Sequence, residues 1–120
     1  MYSLGIDVGS SSVKVALLDI ESGKCVSSST NPKVEAPIIA ERKGWAEQDP
    51  QSWWNYLCEG VKDMARDHDM SQVAAIGISY QMHGLVAIDK DCKPVRNSII
   101  WCDSRAVEIG AAALEGIGYE

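Results

Sequence analysis

The sequence predicts a mixed α/β fold, and three observations predict it. Three short extended segments separated by turn signals open the chain, an amphipathic helical stretch follows Asp49-Pro50, and a compact apolar run lies directly after that stretch. Residues Tyr2 to Val8 run apolar up to Asp7, Gly9 and three serines interrupt, and Val13 to Leu18 resumes the pattern. Glu21-Ser22-Gly23 then turns the chain into a third extended segment, roughly Lys24 to Asn31, beyond which Pro32 and Pro37 break regular pairing. Three consecutive antiparallel strands are the simplest arrangement.

Lys33 to Gln48 has no sustained period. Asp49 is an N-cap residue and Pro50 suits the first helical position, so a helix starts there. Trp53, Leu57, Val61 and Met64 recur at helical spacing, Trp54, Cys58 and Ala65 widen the stripe, and Glu59, Lys62, Asp63 and Arg66 are expected to face away. Both Trp53 and Trp54 are expected in the core, with Trp45 packed beneath the preceding loop. Val73 to Ser79 reads as a strand buried on both faces. Gly84 to Ile88 and Val95 to Trp101 form a strand pair across the turn Asp89 to Pro94, and Asp103 is placed to cap a last helix whose Val107, Ala111 and Leu114 share a face.

The totals bound the partners. A chain of 120 residues, 46% hydrophobic, fits one soluble globular unit. Its net charge of −6, with basic residues scattered, gives no phosphate-neutralising surface for nucleic acid. Cys25, Cys58, Cys92 and Cys102 form no CxxC pair, and His68 and His83 do not stand at zinc-ligand spacing. Asp7 interrupts the first apolar stretch and leaves no room for a signal-peptide core, and no apolar run reaches membrane-spanning length, so a reducing cytoplasm is the expected setting.

The segment Ile6 to Lys14 carries the first chemical signal. Asp7 ends an apolar strand, Gly9 permits close backbone approach, and Ser10, Ser11 and Ser12 offer hydroxyls and amides to phosphate oxygens. Asp7 can hold a magnesium ion through its waters. As residue types alone, the same string also suits an ordinary hairpin turn, and Lys14 is equally a phosphate ligand or a solvated strand residue. No Walker A or GxGxxG string occurs.

A strand ending Asp-x-Gly, followed by hydroxyl residues and a strand that carries Lys14 and ends at Asp19, resembles the first phosphate motif of the actin, chaperone-ATPase and sugar-kinase superfamily. Three further motifs narrow the likeness. Gly44-Trp45-Ala46-Glu47-Gln48-Asp49-Pro50 with Trp53-Trp54, Gln81-Met82-His83-Gly84, and Trp101-Cys102-Asp103-Ser104-Arg105 resemble, in this order, segments of the FGGY carbohydrate kinases, and of their xylulose kinases most closely.

The resemblance implies a ribonuclease H-like mixed sheet with packed helices, cut short, with residues 1–120 forming the N-terminal portion of the first kinase domain. It implies ATP and magnesium as cofactors and D-xylulose as the small-molecule substrate. Phosphate and magnesium would fall to Asp7, Gly9, Ser10, Ser11, Ser12 and Lys14. The sugar would fall to Gln81, Met82 and His83, with Trp101, Asp103 and Arg105 contacting or supporting it. Asp103 is as well suited to a helix cap as to a sugar contact. The family's catalytic aspartate and most adenine contacts lie beyond residue 120, so no catalytic residue is assigned in this chain. The sugar could be ribulose, another ketose, gluconate or glycerol, and the chain could alternatively belong to a non-catalytic actin-like nucleotide-binding module. A ribonuclease H-like nuclease built on Asp7 fits the acidic, hydroxyl-rich chain poorly. An uncovered sheet face or edge would invite self-association.

Overall fold

The computed structural model describes residues 1–118. The three predicted N-terminal strands form as read. Strand β1 (Tyr2–Val8) pairs antiparallel with β2 (Val13–Asp19), and β2 pairs antiparallel with β3 (Lys24–Asn31). The two-residue strand β4 (Glu47–Gln48) precedes helix α1 (Pro50–Met64), and a short 3-10 turn, Met70–Gln72, leads into β5 (Val73–Tyr80). Strand β5 returns parallel to β1, giving the sheet order β3-β2-β1-β5. This is the opening of a ribonuclease H-like fold.

Alternation sorts the strands into two faces. Leu4, Ile6, Val13, Val15 and Leu17 are buried on one face, where Met64 of α1 meets them and Trp53, Leu57 and Val61 pack around the margin. The helix begins as predicted: the Asp49 carboxylate accepts the Gln51 N–H at 2.9 Å and Pro50 occupies the first turn.

Two expectations for α1 are corrected. Trp54 is 60% exposed, because one residue past Trp53 the side chain points about 100° away from the packed stripe. Asp63 does not face away: it accepts the Ser29 hydroxyl at 2.7 Å and lies 3.5 Å from Lys33 and 3.3 Å from Arg66. The Ser29 hydroxyl above all holds the Asp63 carboxyl below its ordinary range.

Strand β5 exists at the predicted place but is not buried. Ile76, Ile78 and Tyr80 are 62%, 64% and 72% exposed. By register they stand beside Leu4, Ile6 and Val8, on the face that α1 covers over β2 and β3, and no described element extends that cover to β5. An apolar edge strand is the outcome.

The strand pair beyond β5 is looser than predicted. Leu85 and Ile99 exchange two backbone bonds and Val95 donates to Ala87, but regular pairing is confined to β6 (Ser98–Ile99), which uses its other side for β4. Helix α2 (Val107–Ile117) also departs from expectation. Its N-cap is Ala106 without a side-chain cap, Asp103 is engaged elsewhere, and its apolar residues remain exposed.

Helix α1 approaches the sheet closely at Gly60, where an added Cβ would lie 2.7 Å from Cγ2 of the buried Val15. Gly60→Ala gains roughly 1 kcal/mol of helix propensity but forces strain of about 1–3 kcal/mol into a β-branched neighbour with no free rotamer. A net loss of about 1 kcal/mol is expected, read as a lower urea midpoint with unchanged slope.

Candidate functional site

Because β1 and β5 run parallel, their C-terminal ends lie side by side. Asp7 pairs with Ser79 and Val8 with Tyr80, and the Gln81 N–H donates to the Val8 carbonyl at 2.9 Å. The hydroxyl-rich turn after β1 and the Gln81 to Gly84 segment after β5 therefore emerge together, at the strand ends where open α/β sheets bind ligands. Neither segment has a neighbour in sequence that could have brought this about.

In the turn after β1, the Gly9 N–H donates to Ser12 O at 3.0 Å and closes the turn tightly. A Cβ on Gly9 would stand 2.9 Å from that carbonyl, so the turn closes this tightly only around glycine. The amides and hydroxyls of the serines that follow are the kind of donor set a phosphate group takes. Asp7 and Lys14 are register partners 3.6 Å apart, and both are substantially exposed. The Ser11 hydroxyl donates to Glu35 at 3.1 Å and its carbonyl accepts Ala36 N–H, so Ser11 also ties the turn to the following loop. Asp7 with nearby Ser10 and Ser12 offers the oxygen donors that a hydrated magnesium ion accepts.

On the other side, Val8, Trp53, Tyr80, Gln81, Met82, His83, Gly84, Val86 and Ser98 line a cavity of about 370 Å³. His83 has φ of 61°, a left-handed conformation uncommon for a residue with a side chain. Met82 is 65% exposed beside it. A second concavity, lined by Tyr80, Gln81, Met82 and Trp101, adjoins the first. Both amide atoms of Gln81 and the Ser98 hydroxyl are buried without a partner among the described residues, an energetic cost concentrated at this one place.

Trp101 joins the two sides. Its indole N–H donates to the Ser10 hydroxyl at 3.2 Å. Asp103 and Arg105 stand behind this wall rather than on it. The Asp103 carboxylate, with a side chain only 3% exposed, accepts the Ala46 N–H at 2.7 Å and is gripped by Arg105, which also reaches Glu47 at 2.7 Å. The Arg105 guanidinium further stacks 3.8 Å over Trp45, which Arg42 faces at 4.9 Å. Arg105 holds the Asp103 carboxyl far below the usual carboxylate range despite burial, and holds Glu47 low as well; both raise Arg105 in return.

Sequence reading missed Glu47 and Gln48 as organising residues. Buried Gln48 donates to Ser10 O at 2.6 Å and Pro37 O at 3.2 Å, and its carbonyl accepts the Trp53 indole N–H at 3.1 Å. Glu47 also receives Arg96. The available signal was a charged and an amide residue inside an otherwise apolar-to-turn motif, Gly44 to Pro50. Ser98 was missed too, and a lone serine in a short strand gives no signal.

Residues 2–116 match the model of the FGGY family of carbohydrate kinases, N-terminal domain. The chain is 36% identical over 108 residues to the xylulose kinase of Escherichia coli (strain K12), covering 90% of this chain and 21% of that protein. A ligand-bound xylulose kinase from Lactobacillus acidophilus superposes with a TM-score of 0.85 at 35% identity, over 96% of this chain and 22% of the other. A gluconate kinase from the same organism matches with the same values. The chain thus spans about a fifth of the length of the relatives it matches.

The depressed carboxyls behind Trp101 have a pH signature. Groups lowered in the folded state contribute stability above their unfolded values, near 4, and lose it as pH falls toward the folded values. Arg105→Met is therefore expected to lower the melting temperature most at neutral pH. The gap to the wild type should narrow below about pH 4, where these carboxyls protonate in the unfolded chain while Arg105 still keeps them ionised in the folded one. A gap independent of pH between 7 and 3 would contradict this electrostatic origin.

Proposed function

We propose that this chain, which belongs to the FGGY family of carbohydrate kinases, is the N-terminal portion of a cytoplasmic ATP-dependent kinase that converts D-xylulose to D-xylulose 5-phosphate. One observation carries the reading: the Asp7 to Ser12 turn and the Gln81 to Gly84 segment meet at the shared end of β1 and β5. Phosphoryl transfer needs a phosphate cradle beside a site for the acceptor hydroxyl, and positioning supplies most of its catalysis. Similarity to xylulose kinases favours the ketopentose, while equal likeness to a gluconate kinase makes that the second reading.

In this reading Met82 lies against the carbon skeleton, and His83 and Gln81 exchange hydrogen bonds with hydroxyls. Trp101 closes the wall, with Asp103 and Arg105 fixing the loop that carries it. Gly9 shapes the tight turn from which Ser10 to Ser12 would receive phosphate oxygens, Lys14 would add positive charge, and Asp7 would hold magnesium through water. When bound there, magnesium-ATP would supply the phosphoryl group and the positive charge that offsets the charge developing in transfer. The base that takes the sugar's proton is an aspartate outside residues 1–120, and no helix among the described residues is long and apolar enough to cross a membrane.

His83→Ala and Met82→Ala in the full-length enzyme should reduce ketopentose-dependent ADP release at least tenfold while leaving sugar-independent ATP hydrolysis within about twofold, as loss of buried substrate contacts does. Equal loss of both activities would remove these residues from the sugar site. Faster turnover of gluconate than of D-xylulose would select the second reading. Residues 1–120 alone are expected to release no ADP in a coupled assay, and xylulose-dependent release would overturn that.

A further inference from the structure

Trp101 lies on the wall assigned to the sugar, yet its one polar atom is turned toward the phosphate turn. The indole N–H has a single donor, and it is given to the Ser10 hydroxyl at 3.2 Å. Ser10 is held a second time from behind, where Gln48 donates to its carbonyl at 2.6 Å. With its oxygen accepting from Trp101, the Ser10 hydroxyl keeps its own proton free to donate. The same Trp101 ring borders the concavity formed with Tyr80, Gln81 and Met82.

We propose that Trp101 is a positioning residue for the phosphate-binding turn, acting through Ser10, and that it links occupancy of the sugar-side cavity to nucleotide binding. This rests on the kinase reading above. Gln48 fixes the Ser10 main chain, and Trp101 fixes the direction in which the Ser10 hydroxyl presents its proton to a phosphate oxygen. A sugar that presses on the ring tightens or loosens that hydrogen bond and so alters the turn. Coupling between the sites is reciprocal by thermodynamic necessity.

The test uses the full-length enzyme and a double-mutant cycle. Trp101→Phe keeps an aromatic face while removing the N–H together with part of the bicyclic ring, and the ring is 58% exposed, so folding is not at stake. Ser10→Ala removes the acceptor. Each single variant should weaken magnesium-ADP binding, measured by calorimetry, by roughly three- to tenfold, the size of one lost hydrogen bond. The double variant should bind no more weakly than Ser10→Ala alone, because Trp101 acts only through the Ser10 hydroxyl that this change has already removed. The KM for ATP should rise in parallel, and D-xylulose should change ADP affinity in the wild type but less so in Trp101→Phe.

Additive losses, a Trp101→Phe effect confined to the sugar KM, or unchanged ADP affinity would each overturn the proposal. A wild-type enzyme that binds magnesium-ADP but does not turn over D-xylulose would sink the substrate reading alone, with the cycle in ADP affinity still deciding the role of Trp101. Failure of the wild type to bind magnesium-ADP would overturn both.

Discussion

The buried dipeptide Glu47-Gln48 holds the two halves of the site to each other. Gln48 points one way and gives its amide to Ser10, Pro37 and Trp53, which ties the serine-rich turn after β1 to the start of α1. Glu47 gathers Arg96 and Arg105, and through Arg105 it reaches Asp103 and the segment that carries Trp101. The hydrogen bond from Trp101 to Ser10 closes the circuit. A buried amide or carboxylate is costly without its partners, so each of these groups supports the others.

The circuit is supported by a sheet that is finished on one flank only. Helix α1 seals β1 to β3 with Met64, Trp53, Leu57 and Val61, while β5 displays Ile76, Ile78 and Tyr80. A strand of alanine, glycine and isoleucine is suited to burial, and in this chain it stands at an edge. That contrast accords with a chain about a fifth as long as its relatives. Even so, β5 is firmly registered on β1, and that pairing alone sets the Gln81 to Gly84 segment beside the Asp7 to Ser12 turn.

Local chemistry accounts for what could be read in advance. Glycine and serine punctuation delimited β1, β2 and β3, and Asp49-Pro50 marked the start of α1, because turns and caps depend on residues adjacent in sequence. The same reasoning placed Trp54 in the core and Asp63 in solvent, and assigned Asp103 to cap α2. Each failed on tertiary context: a group brought up by packing offered a better partner, or no element came to cover the side chain. Ser29 drew Asp63 inward, Ala46 and Arg105 took Asp103, and nothing described covers Trp54.

By itself the sequence determined the order of strands and helix and the separate motifs with phosphate-like and sugar-like chemistry. Short-range periodicity and turn-forming residues encode those directly. Tertiary structure alone decided that the motifs share one end of the sheet, that Gln48 and Trp101 both converge on Ser10, and that Asp103 and Arg105 stand behind the wall. These contacts join residues 38 to 91 positions apart, or pair two charges against a third. No local pattern records which distant group will satisfy a polar atom once the chain has packed.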